Sequence, residues 1–344
     1  MEIKHVDVCC GLHWGDEAKG KVIAQLAKTG KYDFVCRWSG GQNAGHTVYV
    51  NSKKYKTHII PSGIFYGIPS IIGPDCVIHP ATFFQELTYL REHGFTNVDT
   101  LVKISPKAHI VTDLHVEDDY ERNTSNGISI STNRGIAPCY RDKYFRTGIQ
   151  AKDLYILRYY MWDERLYGTV LCEGAQGFWL DINQGNYPYV TSSTTLPYAA
   201  CSLGFPPQLI RTIYGVSKIY DTRVGYDPDF PETLLDDPEL SHIADIGQEF
   251  GTTTGRRRKV NWLNLDKMVQ AIQISGATVI IISKVDILCT VNNYKLYVSN
   301  ILTDFESMDE MKGCIVAYIR DKCTYVTKIL FSHDVETVHG LLDS

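Results

Sequence analysis

The stretch HVDVCCGLHWGDEAKGKVIAQLAK, residues 5–28, decides the fold. His5–Cys10 reads as a short β-strand, Val22–Lys28 as a helix, and the glycine-bearing segment between them as a tight connecting loop. Backbone N–H groups at such a strand-to-helix turn, together with the helix N-terminus, attract phosphate oxygens. Gly15, Gly20 and Lys21 have the spacing of a phosphate-binding loop, and Lys19 adds a second positive charge. The position that usually offers a magnesium-holding hydroxyl is Val22. The loop instead contains an acidic pair, Asp16-Glu17. An ordinary strand-to-helix turn would account for the glycines but not for these carboxylates. Asp16 is the nearest oxygen donor and is placed to accept a proton or to hold magnesium.

Outward from this unit the pattern continues. Asp33–Arg37 reads as a second strand. Phe83, Leu87 and Leu90 recur at helical spacing, and Gly94 can end that helix. Met268–Ile274 reads as a helix, and Ala277–Ile282 as a strand apolar enough to be buried on both faces. The expectation is an α/β fold: one domain over residues 1–344, with a largely parallel central sheet flanked by helices. Two segments, Glu121–Gly135 and Gly225–Glu239, are rich in turn-forming residues and read as long functional loops.

A chain of 344 residues can bury about three quarters of its unfolded surface, so it needs no staples. Its ten cysteines contain no Cys-x-x-Cys spacing and sit mostly in apolar stretches, which argues against zinc and for a reducing, cytoplasmic setting. With 34 basic and 39 acidic residues, the net charge of -5 argues against a nucleic-acid coat. No apolar run is long enough to span a bilayer.

Four further stretches carry chemistry. In RWSGGQNAGHTV, residues 37–48, the glycines allow close backbone approach while Asn43 and His46 offer hydrogen bonds. In CEGAQGFWLD, residues 172–181, Gln176 stands between two small residues. In FGTTTGRRRKVNW, residues 250–262, threonine hydroxyls precede three arginines, a combination suited to a small anion such as a carboxylate or phosphate. SKVD, residues 283–286, follows a predicted strand and has the form of a guanine-reading motif with Ser283 in place of Asn, so Asp286 could accept from a guanine edge and Lys284 could lie along the base.

Together these stretches resemble the adenylosuccinate synthetase family. The order matches as well as the words: GDEAKGK at 15–21, NAGHT at 43–47, STNRGIAP at 131–138, RDKYFRTG at 141–148, EGAQG at 173–177, YPYVTSS at 187–193, TRVG at 222–225, EFGTTTGRRR at 249–258 and SKVD at 283–286. In length the chain is closer to the compact archaeal and phage forms than to the bacterial one. The resemblance implies a magnesium-dependent ligase that joins L-aspartate to carbon 6 of IMP while GTP is hydrolysed, through a 6-phosphoryl intermediate. It implies Asp16 as base and magnesium ligand, with the Gly45 carbonyl as a further ligand. His46 corresponds to the acid, Lys19 to the phosphate-loop lysine, and Gln176 to a catalytic and IMP contact. Asn43, Thr132, Thr191, Val224 and Arg256 match further IMP contacts. Arg146 matches a residue reaching the neighbouring subunit's nucleotide, which implies a homodimer. Thr253, Thr254 and Arg256 match the aspartate loop. Gly15, Lys19, Gly20, Lys21, Gly45, Thr47, Arg258, Lys284 and Asp286 match the GTP side. The resemblance implies no nucleic-acid or membrane partner.

The sequence also departs from the family pattern. Ala18 replaces a loop Gly, His13 a Gln and Asn133 a Gly, and Phe331-Ser332-His333-Asp334-Val335 is the best counterpart of the C-terminal turn against the guanine. One rival is a phage-type synthase that uses GMP or dGMP, with ATP or GTP, to make a 2-aminoadenine precursor; several such relatives carry Ser where this chain keeps Asp16. Another is a non-ligase GTP-binding switch, which would give TTTGRRR at 252–258 and EGAQG no purpose. IMP is the expected acceptor.

Overall fold

The computed structural model describes residues 2–125, 131–251 and 255–343. Its main sheet runs, edge to edge, Lys328–Phe331, Val279–Ser283, Ile210–Lys218, Ile3–Gly11, Gly168–Glu173, Phe34–Gly40, Ser70–Ile78 and Val102–Ile104, with His109–Ile110 also paired on Ser70–Ile78. Every one of these pairings is parallel. The expected α/β architecture is therefore present.

Alternation of side chains explains why the central strands are apolar throughout. Cys9, Val35 and Leu171 pack on one face with Val22, Ile23 and Leu26 of the first helix. Val8, Cys10, Cys36, Val170 and Cys172 pack in a different cluster, with Trp38, Ala200 and Phe205. Neighbours in sequence thus enter opposite cores, and both faces are covered. Burial pushes the Cys10 thiol up to about 12, in keeping with a packing role.

The helix marked by Phe83, Leu87 and Leu90 spans Pro80–Glu92. All three side chains are fully buried, each contributing roughly 1.5–3 kcal/mol of burial free energy. The helix expected over Met268–Ile274 spans Leu265–Ser275, capped by the Asn264 side chain, which accepts from Lys267 N.

Two expectations need correction. Glu121–Gly135 is not a loop at its start: Asp113–Ser125 is a helix, supported by an Asp118–Arg122 ion pair one turn apart. Residues 126–130 lie outside the described residues. Gly225–Glu239 contains a short 3-10 helix, Glu232–Leu235, and from Pro238 it is the helix Pro238–Ile246, which begins with Asp237 accepting from Glu239 N and Leu240 N. A smaller mixed sheet of Tyr220–Arg223, Lys259–Asn264, Lys295–Val298 and Ile301–Asp304 was not foreseen.

Candidate active site

Because the main strands are parallel, their carboxyl ends lie along one edge, and the marked stretches leave from that edge. Gly11 leads into the glycine loop, Gly40 into the Asn43–His46 segment, Glu173 into Gln176, Ser283 into Lys284-Val285-Asp286, and Phe331 into Ser332–Val335. Ligands of open α/β sheets bind at this edge.

The glycine loop is shaped by Glu17. Its carboxylate is buried and accepts from Gly15 N (2.8 Å), His13 N (3.3 Å) and Lys19 Nζ (2.6 Å). A side chain at Gly177 would bring Cβ to 2.4 Å from Glu17 Oε1, so this glycine makes room for the carboxylate. Gly15, Asp16 and Ala18 all have positive φ, and Ala18, at +75°, immediately precedes the helix Lys19–Ala27. The helix starts earlier than the expected Val22 because this left-handed step redirects the chain.

Asp16 differs from Glu17. Its side chain is 31% exposed, and its Oδ2 accepts from Arg258 Nη2 at 2.6 Å. Arg258 is buried and also pairs with Glu249. Glu249 in turn accepts from Lys218 Nζ (3.0 Å), Lys284 Nζ (2.7 Å) and the Tyr220 hydroxyl (2.8 Å). Burial works to raise the pKa of Glu249, but Lys218, Lys284 and Arg258 overcome it and hold the group well below the usual carboxylate range. Burial draws Lys218 down to about 8 despite Glu249 beside it.

His46 donates from Nδ1 to Glu173, which is buried and also accepts from Ser62 N (2.7 Å) and Ser62 Oγ (2.9 Å). Burial lowers the His46 pKa. Burial works to raise that of Glu173, but His46, Arg37 and the Ser62 N–H outweigh it, so Glu173 is the ionised partner. His46 therefore keeps its proton on Nδ1 and turns Nε2 away from Glu173.

Gln176, at φ +55°, has a buried Oε1 without a hydrogen-bond partner, 3.2 Å from where a Cβ on Gly40 would sit. Gln176 thus meets both Gly15 and the Gly40 turn. Asn43 Oδ1 accepts from Gly41 N. Gly45 and Thr47 lie half-buried at the start of the hairpin His46–Val50/Lys53–Thr57, and Gly20 packs so closely on it that a Cβ would be 2.8 Å from Thr47 O. Thr191 N donates to Leu180 O, while Thr132, Val224 and Arg256 are half-buried. Thr253 and Thr254 lie outside the described residues.

Four placements, those of Lys21, Ser283, Lys284 and Arg146, differ from simple ligand contact. Lys21 turns inward: it is buried, donates to Ser332 Oγ (2.6 Å) and Asp334 O (2.7 Å), and burial lowers its pKa to about 8. It fastens the C-terminal segment to the first helix. Ser283 Oγ lies 2.9 Å from both Glu17 O and Ser217 O and shares its one proton between them, so the serine in SKVD ties that motif to the glycine loop. Lys284 points its ammonium at Glu249 and Gly247 O, while Asp286 sits in the first turn of the helix Val285–Val291. Arg146 stands apart, exposed at the end of the helix Ile136–Phe145 beside exposed Tyr144 and Phe145.

Sequence reading named Asp16, Lys19, His46, Arg258 and Lys284 but gave no role to Glu17, which holds Lys19, to Glu173, which holds His46, or to Glu249, which with Lys218 surrounds Arg258 and Lys284. The acidic residues stand inside or at the edge of quoted motifs; only their long-range pairings were hidden. His13, the departure from the family's Gln, lies 2.6 Å from Asp221, and both are buried. Asn133 occupies φ +55°, a conformation Asn tolerates, which explains how it stands in for Gly.

A parallel sheet whose carboxyl edge gathers a glycine loop, a His–Glu pair and buried cations around one accessible carboxylate defines a nucleotide-handling α/β enzyme. The adenylosuccinate synthetase family model matches residues 8–168 and 159–311. The adenylosuccinate synthetase of Desulfosudis oleivorans is 34% identical, with 87% of this chain and 82% of that one covered. That of Trichoplax adhaerens is 36% identical, covering 84% and 76%. Among solved structures, fully ligated adenylosuccinate synthetase from Plasmodium falciparum superposes with a TM-score of 0.82 at 26% identity, covering 96% of this chain and 98% of that one. The cyanophage S-2L succinoaminodeoxyadenylate synthetase, bound to dGMP and dATP, shares the fold with a TM-score of 0.72 at 18% identity, covering 98% and 95%. The chain belongs to the adenylosuccinate synthetase family and is a ligase that forms a C–N bond. No helix among the described residues is long and apolar enough to cross a membrane.

Proposed function

We propose that this ligase joins L-aspartate to carbon 6 of IMP with GTP as phosphoryl donor, and that Asp16 is the base. The carrying observation is the position of Asp16: a partly exposed carboxylate in a left-handed loop, next to Gln176 across Gly15 and held by Arg258. Asp16 takes the N1 proton of the purine, so electron density moves to O6. O6 then attacks the γ-phosphorus and GDP leaves. The amine of aspartate displaces phosphate from C6. His46, fixed by Glu173, faces the transferring group with Nε2; an arriving polyanion favours its protonated form. Asn43, Gln176, Thr132, Thr191 and Val224 hold IMP. Thr253, Thr254 and Arg256 hold aspartate. Lys19, Arg258, Lys284 and Asp286 serve the donor side, with Gly15, Gly20, Gly45 and Thr47 lining the phosphates and Lys21 acting from behind.

Among the described residues no cluster of three or more His, Cys, Asp or Glu could cage a metal. Magnesium, however, is commonly held by one or two protein oxygens plus substrate phosphates. The partly exposed Asp16 carboxylate and the Gly45 carbonyl fit that pattern. When bound, the ion supplies charge neutralisation at the phosphates.

Arg146 acts in trans across a homodimer. Its exposure beside Tyr144 and Phe145, 71% and 77% exposed, supports this reading, because large apolar side chains in that setting suit a second copy. The expected compartment is the cytoplasm.

Aspartate-dependent phosphate release, measured over IMP, GMP and dGMP crossed with GTP and ATP and read by product mass, tests the proposal. IMP with GTP should give adenylosuccinate fastest. Preference for dGMP would replace the acceptor, and nucleotide hydrolysis indifferent to aspartate would remove the ligase assignment.

A further inference from the structure

Glu249 is fully buried and has three cationic partners, Arg258, Lys218 and Lys284, plus the Tyr220 hydroxyl. They come from four places: the strand end Ile210–Lys218, Tyr220 just beyond it, the 256–258 arginine run and the SKVD turn. A buried carboxylate costs several kcal/mol to desolvate, so its retention depends on these partners. Backbone bonds reinforce it: Arg258 N donates to Glu249 O (3.0 Å), Gly251 N to Arg256 O (2.8 Å), and Phe250 bridges Arg257. The two ends of the stretch 249–258 are thus clamped together beside Glu249. Arg258 also reaches Asp16.

We propose that Glu249 is a positioning residue for the ligase reaction: one carboxylate that sets Arg258 against Asp16, holds Lys284 at the donor-base turn and fixes the base of the aspartate-loop segment. This rests on the reading of the site given above. Glu249 touches no substrate. It acts by fixing where three positive charges stand before the donor's phosphates arrive. Without its charge, two buried cations, Arg258 and Lys218, and the half-buried Lys284 lose their shared counter-ion and repel one another, and the Arg258 guanidinium is no longer held from both sides. The donor half of the site loosens more than the IMP half, since Gln176 and Thr191 have no bond to this cluster among the described residues, and Asp16 meets it through Arg258.

The test is steady-state kinetics on the full chain with each substrate varied in turn, for wild type, Glu249→Gln and Tyr220→Phe. Glu249→Gln keeps the shape and removes the charge; kcat should fall about 100-fold and the donor KM rise about tenfold, while the IMP KM moves less than about threefold. Tyr220→Phe removes one neutral donor to Glu249 and keeps the fold even if the Gln variant does not; the same parameters should move in the same order by about three- to tenfold. A purely structural role would scale down the active fraction and leave every KM where it was. That result, or wild-type kinetics in both variants, overturns the inference. If wild type makes no adenylosuccinate, the functional reading fails instead. Donor-nucleotide Kd then decides on Glu249: weakening in the variants keeps it as a positioning residue, and equal affinity removes it.

Discussion

Two arginines of this chain show opposite solutions to carrying a positive charge. Arg258 is buried, with its guanidinium shared between Asp16 and Glu249. Arg146 is exposed in a left-handed conformation at a helix end, among aromatic side chains that also face outward. The first charge is matched within the fold; the second is displayed. A buried cation without its counter-ions would cost several kcal/mol, so Arg258 is placed by the chain's own folding. An exposed one costs little and can wait for a partner. The active site is accordingly built from an internal part fixed by the fold and, on the proposed reading, a part completed by a second copy.

The largest break in this comparison comes from its inner side. Asp16→Ala should lower synthesis by about a thousandfold, the scale of a lost general base, while the fold is kept because Glu249 still pairs with Arg258. Near-normal turnover by the folded variant would remove Asp16 from the chemistry. On the outer side, Arg146→Leu should raise the IMP KM by about tenfold or more. Mixing it with Asp16→Ala should restore about a quarter of the wild-type sites, because one site in each mixed dimer then has both groups. Failure of the mixture to regain activity would place Arg146 outside the neighbouring site.

A smaller effect concerns acid. The native pKa values of Glu173 and Glu249 lie below the ordinary 4.5, so below that pH the unfolded chain binds protons that the native chain does not. The contribution of these two carboxylates should be level above about pH 5 and fall as the pH drops through the native values. Thermal midpoints taken from pH 7 to pH 3 should show this fall, and Glu249→Gln should flatten part of it. An equally steep fall in the variant would count against the Glu249 share. Smallest is Ala18→Gly, which should raise stability by roughly 1 kcal/mol, because Ala18 sits at φ +75° where a methyl is strained. A lower midpoint would show that the loop relies on that methyl for packing.

Much of this was legible in the sequence, for identifiable reasons. Val279–Ser283 could be read as a strand because a strand buried on both faces is apolar without alternation. Phe83, Leu87 and Leu90 announced their helix because one stripe of it faces a core. The small mixed sheet was hidden because its strands carry Asp221, Asn261 and Asn264, polar residues whose partners lie within the sheet itself: Asn264 N donates to Asp221, and Asn261 Oδ1 accepts from Trp262 N. The helix Asp113–Ser125 was masked by its polar sequence, and its Asp119 is buried only because it accepts from Gly135 N across the neighbouring turn. In the site, the glycine loop and Asp16 could be read from local chemistry. Glu17, Glu173 and Glu249 could not be given roles, because Ser283 meets Glu17 O across 266 positions and His46 meets Glu173 across 127. Such pairings exist only after the strands have been ordered.

The inward turn of Lys21 has a consequence for how the molecule is made. Its ammonium is satisfied by Ser332 and Asp334, and Gln25, one turn further along the same helix, exchanges two bonds with Val338. While the chain is still emerging from the ribosome, the helix behind the glycine loop lacks these anchors until residues 311 and 313 positions further along have been added. The back of the nucleotide site is thus fastened late in synthesis, and a version of the chain cut before Ser332 would lack these anchors even with every catalytic side chain present.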